Sequence, residues 1–323
     1  MSNQIDLQPR ALGRSGLSTL PLAIGGNAIG WTADEQTSHA VLDHFIGAGF
    51  SLIDTADVYS KWVPGHVGGE SETIIGTWLK KNPGKRSQVL VATKVGGEIA
   101  PGRKGLSAKH IKSAAEDSLR RLQTDYIDVY QAHYDDPDVP FEETLRAFGD
   151  LIAEGKVRTL GVSNHDLNRF KAAIEAGRQH GLPRYEALQP LYNLYDRQDF
   201  EQNFAPLCRA EGIGVFNFYS LASGFLTGKY RTEQEVSAAA RQRSNRKYMN
   251  ERGFRILAAM DEVAARTGAK LAQIAIAWLV AQPDVTAPIA SATSVQQVEE
   301  LIAAVRLKLD AESLALLNDA SAY

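Results

Sequence analysis

A regular alternation of two kinds of segment from residue 18 onwards constrains the fold more than any other feature of the sequence. Short runs rich in β-branched and other apolar residues are followed by longer runs of helical period, the pattern of repeated βα units around a parallel sheet. The strand candidates lie at 20–24, 50–54, 89–94, 126–130, 159–162, 187–189, 214–218 and 286–290. Eight such units predict a (β/α)8 TIM barrel rather than an open doubly wound sheet. The segment GRSG before them predicts the turn of a small N-terminal β-hairpin under the barrel floor.

Chain length, net charge and cysteine count indicate the number of domains, the kind of partner and the cellular compartment to expect. A chain of 323 residues fits one large barrel, so we expect a single domain over 1–323. The formal net charge of −3 gives no electrostatic reason to expect nucleic acid or an anionic membrane, and the expected partner is a small molecule. Cys208 is the single cysteine, which excludes an intramolecular disulfide and favours a reducing compartment. The sequence starts MSNQIDLQPR, without an apolar signal core, so we expect a cytoplasmic protein without a membrane segment.

Several helix boundaries are predicted from capping residues. Ser107 is a candidate N-cap, Gly177 a candidate C-cap, and Pro283 ends an apolar and therefore buried helix. The longest segment without a strand candidate, 221–250, is rich in basic residues. Such a run is typical of a solvated face, and the alternative is a lid over a phosphate-bearing ligand. Its basic residues are Arg231, Arg241, Arg243, Arg246 and Lys247.

Polar residues stand at the carboxyl ends of the predicted strands, where barrels of this type have their active sites. Strand two ends in Asp54 with Tyr59 shortly after it, strand three ends in Lys94, and strand four runs into His133. Each residue alone has a structural explanation, such as a turn cap or a packed histidine. Strands five and six lead into Ser163, Asn164 and Gln189.

Asp54, Tyr59, Lys94 and His133 together have a specific chemical use. A tyrosine, with an ordinary pKa of about 10, is a weak acid at neutral pH, but a nearby ammonium such as that of Lys94 favours its phenolate and lowers the pKa. Asp54 can keep the lysine in place and charged, while His133 donates a hydrogen bond to a substrate carbonyl. The set therefore predicts a proton donor for carbonyl reduction, with Tyr59 as the acid.

The motifs in the chain resemble those of the aldo-keto reductase family over nearly its whole length. The matching segments, in family order and spacing, are DTADVYS, GGESETIIGTWL, VATKVG, DYIDVYQAHYDDP, EGKVRTLGVSN, LQPLYNLYDR, GFLTGKY and PIASATSVQQVEEL. The resemblance implies that Tyr59 is the general acid, that Lys94 and Asp54 tune it, and that His133 orients the carbonyl. Asp57 has no role in the family pattern and is interpreted as a turn residue.

The resemblance also implies a nicotinamide cofactor extended across the barrel mouth, NADPH in preference to NADH. Neither a G-x-G-x-x-G motif after a strand nor a P-loop occurs, which argues against a Rossmann domain. The nicotinamide amide would be held by Ser163, Asn164 and Gln189. The stacking ring after strand seven would be Phe218, or Tyr219 after a shift of one residue. Leu221 and Gly224 follow in the same cofactor-binding loop.

The adenosine end of the cofactor would lie at IASATSVQQVEEL, where a loop meets a helix N-terminus. The implied contacts are Ser291, Thr293, Gln297 and Glu300. Many relatives have a lysine and an arginine at the positions of Ser291 and Gln297, but both residues are neutral here. We therefore expect a weak clamp on the 2′-phosphate and a relaxed cofactor preference.

Loops at the mouth should select an aldehyde, a ketone or, in the reverse direction, an alcohol. The candidates for this pocket are Asn27, Trp31, Trp62 and Tyr134. Aromatic residues outside periodic helical runs favour an apolar or ring-shaped pocket. No heptad seam is present, so we expect a monomer or a weak homo-oligomer, and monomers are common in the family that the chain resembles.

Three other functions remain open at the level of sequence. A regulatory or sensor subunit could retain the fold and the cofactor with little turnover. An aldolase or isomerase could use Lys94 as a Schiff-base nucleophile, although Asp54 should keep that lysine protonated. Metal-dependent hydrolysis has little support, because the candidate ligands are poorly grouped and no metal site is expected. Those ligands are His133 with Asp135 and Asp136, and His39 with His44.

Overall fold

The computed structural model describes residues 7–232 and 246–323, and its centre is a parallel eight-stranded barrel surrounded by helices. The strands are β1 Arg10–Ala11, β2 Ser18–Thr19, β3 Ala23–Gly25, β4 Leu52–Asp54, β5 Leu90–Val95, β6 Ile127–Ala132, β7 Val157–Ser163, β8 Tyr185–Gln189, β9 Gly214–Val215 and β10 Ile289–Ala290. The α-helices in the described residues are α1 Glu35–Gly47, α2 Glu70–Lys81, α3 Ala108–Leu122, α4 Phe141–Ala153, α5 Leu167–His180, α6 Ala205–Glu211, α7 Glu251–Thr267, α8 Leu271–Ala281, α9 Val295–Arg306 and α10 Ala311–Ala320. The 3₁₀ segments are Gly26–Ala28, Pro83–Gln88 and Ala222–Thr227, and Phe200–Phe204 forms a π-helical turn.

The barrel closes, as the alternation of segments predicts. Strands β3 to β9 pair in parallel in chain order, and β10 pairs with β3. Backbone hydrogen bonds from Thr286 N–H to Val215 O (2.7 Å) and from Ile289 N–H to Asn217 O (3.0 Å) join the last strand to β9. All eight predicted barrel strands are present, so the prediction of a TIM barrel is confirmed.

The N-terminal hairpin is also confirmed, and it lies under the barrel floor. Strand β1 pairs antiparallel with β2, with Arg10 opposite Thr19. The apolar side chains of Leu12 and Leu17 belong to the same buried cluster as the lower residues of the barrel interior. Gly13 has φ +59°, and a Cβ there would lie 2.2 Å from Glu186 O, so this close approach to β8 requires glycine.

Because side chains alternate along each strand, the inward-facing positions can be followed from the apolar interior of the barrel to its polar mouth. Leu52, Ala92 and Val129 belong to the cluster inside the barrel. Because successive side chains on a strand point to opposite faces, the residue two positions later also points inward. The inward residues at the upper ends of the strands are Asp54, Lys94, Gln131, Ser163, Gln189 and Phe218. The fold itself therefore places most of the predicted polar residues at one opening.

Two of the three predicted helix boundaries agree with the structure, and one is wrong. Ser107 caps α3 by accepting a hydrogen bond from His110 N–H, and α8 ends shortly before Pro283. Helix α5, however, does not end at Gly177 but continues to His180, and Gly181 is its C-cap with φ +59° and ψ +31°. Gly177 lies inside the helix, where an added Cβ would make only an ordinary van der Waals contact with Pro183 O at 3.5 Å.

Close helix packing at Gly76 gives a stability prediction. A Cβ at this position of α2 would lie 2.0 Å from the carbonyl oxygen of Arg121, a backbone atom that cannot rotate away. Gly76→Ala should therefore lower the free energy of unfolding by about 1–3 kcal/mol or more. Gly47→Ala is the matched control, because it lies in α1 with nothing within 4 Å of the added Cβ, and it should raise the free energy of unfolding by up to about 1 kcal/mol. Denaturant titration of both variants measures the difference, and equal shifts would contradict the packing argument.

Arg231 and Lys247, two of the basic residues noted in the 221–250 segment, do not line the cavity at the barrel mouth. Arg231 forms an ion pair with Asp261 (2.8 Å), and Lys247 forms one with Asp196 (3.1 Å). Both pairs are partly exposed, as expected for a solvated face. Arg241 and Arg243 lie outside the described residues.

No single helix among the described residues is both long and apolar enough to cross a membrane. The bent pair Glu251–Thr267 and Leu271–Val280 passes the length and composition test only when taken together, with a bend of 95° between them.

Candidate active site

Asp54, Lys94 and Tyr59 form a hydrogen-bonded set at the carboxyl ends of β4 and β5. The Lys94 ammonium lies 2.8 Å from Asp54 Oδ1 and donates to Tyr59 Oη at 2.8 Å. It also donates to the carbonyl oxygen of Thr55 at 2.8 Å, so all three of its donors are directed to protein oxygens. Because Lys94 donates to the phenol oxygen, the phenol proton must point elsewhere, and the Asp54 carboxylate is a distant acceptor at 3.4 Å.

The short loop after β4 fixes the position of the tyrosine. Thr55 N–H donates to Ala92 O (2.8 Å), which keeps the start of the loop against β5, and Tyr59 N–H closes a turn to Ala56 O (3.2 Å). Ser60 has a left-handed φ of +70°, and its buried hydroxyl donates to Ile29 O (2.8 Å). A left-handed residue outside glycine is uncommon and is held here by that buried hydrogen bond.

The electrostatics of Tyr59 differ from the sequence-based expectation. Burial, followed by the nearby Asp54 carboxylate, raises the pKa of the Tyr59 phenol well above its ordinary value, although Lys94 is in contact with it. Burial also lowers the pKa of Lys94, an effect opposed by the charge of Asp54. The expectation that Lys94 gives a net lowering of the tyrosine pKa is therefore wrong for the free protein. The phenol holds its proton at neutral pH, and the lysine is placed to stabilise the phenolate only when that proton leaves.

His133 follows β6 and lies at the wall beside Tyr59, with ring centroids 6.0 Å apart. Burial and then the Lys94 charge lower the pKa of its imidazole well below its ordinary value, so the ring is neutral at neutral pH. The ring stacks on Tyr134 with centroids 4.5 Å apart, which restricts its rotation. A neutral imidazole has one N–H donor, which suits a hydrogen bond to an uncharged carbonyl.

Three predicted cofactor residues form a polar group next to Asp54. Gln189 Nε2 donates to Asp54 Oδ1 (2.8 Å), and Ser163 Oγ donates to the Gln189 carbonyl oxygen (2.9 Å). Asn164 Nδ2 donates to the His133 carbonyl oxygen (2.9 Å) from a residue with φ +49°. The structure thus brings Ser163, Asn164 and Gln189 together with Asp54, Tyr59 and His133 around one cavity, and Lys94 lies buried behind Asp54 and Tyr59.

The loop after β9 carries two adjacent rings and an unusual backbone. Phe218 and Tyr219 lie at the cavity with centroids 5.1 Å apart, and Tyr219 is exposed. Tyr219, Ala222 and Ser223 all have φ between +48° and +57°, a conformation that is strained for residues with side chains. Asn193 Nδ2 holds the turn by donating to Tyr219 O (3.1 Å). Such clustered strain is common at ligand sites, and sequence patterns give no signal for it.

The candidate adenosine end lies where α9 begins. Ser294 caps that helix, and Gln297 Oε1 accepts from Thr293 N–H (2.8 Å) and Thr293 Oγ1 (3.2 Å). The hydroxyl of Ser291 is hydrogen-bonded to the side chain of Asn27. Leu221, Gly224, Ser291, Thr293, Gln297 and Glu300 all line the same cavity as Tyr59.

Three lysines that sequence reasoning missed also line this cavity: Lys61, Lys229 and Lys270. Lys270, at the N-cap of α8, forms an ion pair with Glu300 (2.5 Å), and Lys229 lies in the loop after β9. Lys229 stands in the matching segment GFLTGKY, so attention to its charge could have found it. Lys270 gave no such signal, because it approaches the site from a distant part of the chain.

The predicted substrate residues divide into two groups. Asn27, Trp62 and Tyr134 line the cavity, and Trp62 and Tyr134 are 49% and 47% exposed. Trp31 is not among the described residues that border the cavity, but its ring packs edge-on against Trp62 at 5.6 Å. Trp62 in turn packs edge-on against Tyr59 at 6.0 Å. Trp31 is thus placed to support the wall rather than to form it.

The cavity suits a dinucleotide and a small substrate together. Its volume of about 1300 Å³ exceeds the range of about 300–1,000 Å³ typical of pockets for drug-sized ligands. One part of the lining holds the phenol, imidazole and amide groups, and another holds the start of α9 with Lys270, which pairs with Glu300 of that helix. A helix N-terminus with nearby cations is suited to phosphate groups. The residues present therefore fit a nicotinamide dinucleotide.

The residues considered for metal-dependent hydrolysis have other partners. Asp135 forms an ion pair with Arg169 (2.6 Å), and Asp136 accepts from Leu106 N–H (2.7 Å). His39 contacts Thr77, and His44 lies 3.7 Å from Glu299. Within residues 7–232 and 246–323, no three His, Cys, Asp or Glu side chains are grouped to hold a metal ion.

Comparison with known proteins adds an independent finding. The model of the aldo/keto reductase family matches residues 21–322. The chain is similar to the uncharacterized oxidoreductase YrpG of Bacillus subtilis, with 35% identity over 95% of this chain and 94% of the relative. It is also similar to the aldo-keto reductase YhdN of the same organism, with 33% identity over 89% and 83%. A probable voltage-gated potassium channel subunit beta of Arabidopsis thaliana is 33% identical over 93% and 91%.

Proposed function

The chain belongs to the aldo-keto reductase family of NAD(P)H-dependent oxidoreductases, and from this premise we propose that it reduces an aldehyde or a ketone with NADPH or NADH. The observation that carries the proposal is the position of the Lys94 ammonium, 2.8 Å from both the Asp54 carboxylate and the Tyr59 phenol at the edge of the cavity. We further propose that the chain acts as a single domain over 1–323, as a monomer or a weak homo-oligomer.

Tyr59 is the proton donor in this proposal. The raised pKa of its phenol keeps the proton available at neutral pH, and His133 holds the carbonyl oxygen by donating its one N–H. As the proton moves to that oxygen, the Lys94 ammonium stabilises the phenolate left behind, and Asp54 keeps the ammonium in place. A bound nicotinamide supplies the hydride to the carbonyl carbon. The same residues operate in reverse for alcohol oxidation, with a Tyr59 phenolate as base.

The cofactor site is proposed to hold either nicotinamide dinucleotide with a modest preference for NADPH. Ser163, Asn164 and Gln189 would hold the amide, and Phe218 with its neighbouring loop would cover the ring. Ser291 and Gln297 offer only neutral groups to a 2′-phosphate. Lys229 and Lys270 add positive charge to the lining of the cavity, but Lys270 is already paired with Glu300. The clamp is therefore weak rather than absent.

Cofactor selectivity provides a direct measurement of this clamp. For the wild type, kcat/KM with NADPH should exceed that with NADH by less than about a thousandfold, roughly 4 kcal/mol. Gln297→Arg should raise the preference for NADPH at least about tenfold, because a charged donor replaces a neutral amide beside the 2′-phosphate. Gln88→Arg adds the same charge on an exposed segment outside the cavity and should leave the ratio unchanged. A wild-type ratio above the stated limit would contradict the weak clamp.

A second candidate function is that of a cofactor-binding regulatory subunit with little turnover. The similarity over 93% of this chain to a probable potassium channel subunit beta favours it. The complete hydrogen-bonded set around Tyr59 favours the reductase. Turnover across a panel of aliphatic, aromatic and sugar-derived carbonyls separates the two: sustained cofactor oxidation supports the enzyme, and tight cofactor binding without turnover supports the regulatory subunit.

A cytoplasmic location is proposed from the cysteine content. Cys208 is the single cysteine in the sequence, and it lies in α6 with its side chain buried. Burial raises the pKa of its thiol to about 12, so it is an unreactive packing residue that would tolerate a reducing compartment.

A further inference from the structure

Asp57 is a buried carboxyl group beside the candidate catalytic residues, and the mechanism does not use it. It lies between Asp54 and Tyr59 in the loop after β4 and is only 1% exposed. Neither of its carboxyl oxygens has a partner at hydrogen-bonding geometry among the described residues. The interpretation of Asp57 as a turn residue therefore does not explain its environment, because turn carboxyls are normally solvated or bonded to backbone N–H groups.

The charges around Asp57 are already balanced without it. Glu72 of α2 is fully buried and is paired with Arg121 of α3 at 2.7 Å. Glu72 Oε1 also accepts from Thr93 Oγ1 at 2.6 Å, directly before Lys94 in β5. On the barrel side, Lys94 is paired with Asp54. Each cation thus has one carboxylate, and an ionised Asp57 would add a buried negative charge without a counterion, which is costly.

The position of Asp57 couples it to the lysine. Its backbone N–H donates to Lys94 O at 3.2 Å, which ties the loop to the strand that carries the ammonium. Among the described residues, five titratable groups interact electrostatically with its carboxyl: Glu72 from α2, Arg121 from α3, Lys94 from β5, Tyr130 from β6 and Tyr134 from the loop after β6. The Tyr130 hydroxyl is buried and also lacks a hydrogen-bond partner in the described residues. A change of charge at Asp57 would therefore be felt at Lys94 with little screening by solvent.

We propose that Asp57 is a positioning residue that works as a neutral carboxylic acid, and that loss of its proton at alkaline pH slows carbonyl reduction by adding a second negative charge behind Lys94. The inference rests on the proposed reductase function. In the proton balance, Asp57 gives its proton to solvent, and Tyr59 remains the only donor to the substrate.

The direction of the pKa shift at Asp57 agrees with the burial of its carboxyl group. Burial and then the Glu72 charge raise the pKa of Asp57 to about 8, against smaller opposing effects, the largest of which comes from Arg121. The carboxyl is therefore protonated at neutral pH and ionises in mild alkali. The added negative charge disfavours a phenolate at Tyr59, so the rate of proton donation should fall as pH rises through this range. Tyr59 itself titrates at higher pH and does not produce this fall.

The pH dependence of carbonyl reduction tests the inference with Asp57→Asn, which keeps the shape of the side chain and remains neutral. Between about pH 6 and about pH 10, kcat of the wild type should fall with an apparent pKa of about 8. Asp57→Asn should keep its neutral-pH rate within about threefold and lose that fall. Asp125→Asn, at an exposed aspartate away from the cavity, should follow the wild type. An unchanged fall in a folded Asp57→Asn protein would overturn the inference, as would inactivity at neutral pH.

A spectroscopic titration separates this inference from the proposed function. In wild-type protein labelled with ¹³C at its aspartate carboxyls, one signal should titrate at about pH 8. The measurement needs no turnover and no variant. If this signal is present but the protein reduces no carbonyl, the protonation of Asp57 at neutral pH is supported and the proposed reductase function is wrong. Turnover without any such signal would overturn the role of Asp57 and leave the reductase intact.

Discussion

Tyr59→Phe should lower kcat for carbonyl reduction by about 10²–10⁴-fold, the usual contribution of a positioned proton donor. The phenylalanine ring can keep the packing against Trp62 and His133, so only the phenol oxygen is lost. That oxygen accepts a hydrogen bond from Lys94 and belongs to a residue that lines the cavity. Nucleotide affinity, followed by fluorescence titration, should stay near that of the wild type because the hydroxyl is assigned to the substrate end.

Tyr134→Phe is the matched control for this substitution. Tyr134 also lies at the cavity with a phenol group, but its side chain has no hydrogen bond to Lys94 in the described residues. Its kcat should stay within about tenfold of the wild type. Equal losses in the two variants would mean that the Tyr59 hydroxyl has no special role, and unchanged activity in Tyr59→Phe would remove it as the proton donor.

Lys94→Met should abolish most of the activity and also destabilise the protein. The substitution removes the cation from a pair in which Lys94 is fully buried and Asp54 is 2% exposed. Removing one partner of a buried pair leaves an uncompensated charge and typically costs about 3–5 kcal/mol. The free energy of unfolding should fall by an amount in that range, measured by denaturant titration at neutral pH.

The double variant Asp54→Asn with Lys94→Met distinguishes charge from packing. Asparagine removes the stranded negative charge, and its amide oxygen can still accept the hydrogen bond from Gln189. Stability should recover by several kcal/mol relative to Lys94→Met, while activity should not recover because no ammonium stabilises the phenolate. A loss of less than about 1 kcal/mol in Lys94→Met would show that Asp54 takes up a proton or a new partner at little cost.

The sequence predicts the barrel well because its signals are local and repeated. Alternation along β4 and β5 needs only the identities of neighbouring residues, and it places Asp54 and Lys94 at the same opening. The helix boundary at Gly177 was mispredicted because the local signal for a C-cap occurs twice in this segment. Two glycines, Gly177 and Gly181, suit a C-cap, and residue type alone does not decide which of them ends the helix.

The features that sequence did not predict depend on contacts between distant segments. Lys270 enters the cofactor end of the cavity from the start of α8. Asp57 lies within the matching segment DTADVYS, but the charges that act on it, Glu72 and Arg121, come from α2 and α3. The pKa of Tyr59 depends on the balance between burial and two opposite charges, and residue types alone cannot give its direction.

Hydride transfer from cofactor to substrate is the central claim, and a deuterium label tests it most directly. NADPH carrying deuterium at the hydride-donating carbon of the nicotinamide is incubated with wild-type protein and a mixed panel of aldehydes and ketones, and the products are examined by mass spectrometry. The account predicts an alcohol with one deuterium on the former carbonyl carbon, and almost none with Tyr59→Phe. Cofactor that binds tightly but leaves every carbonyl unlabelled would contradict the account and favour the regulatory subunit.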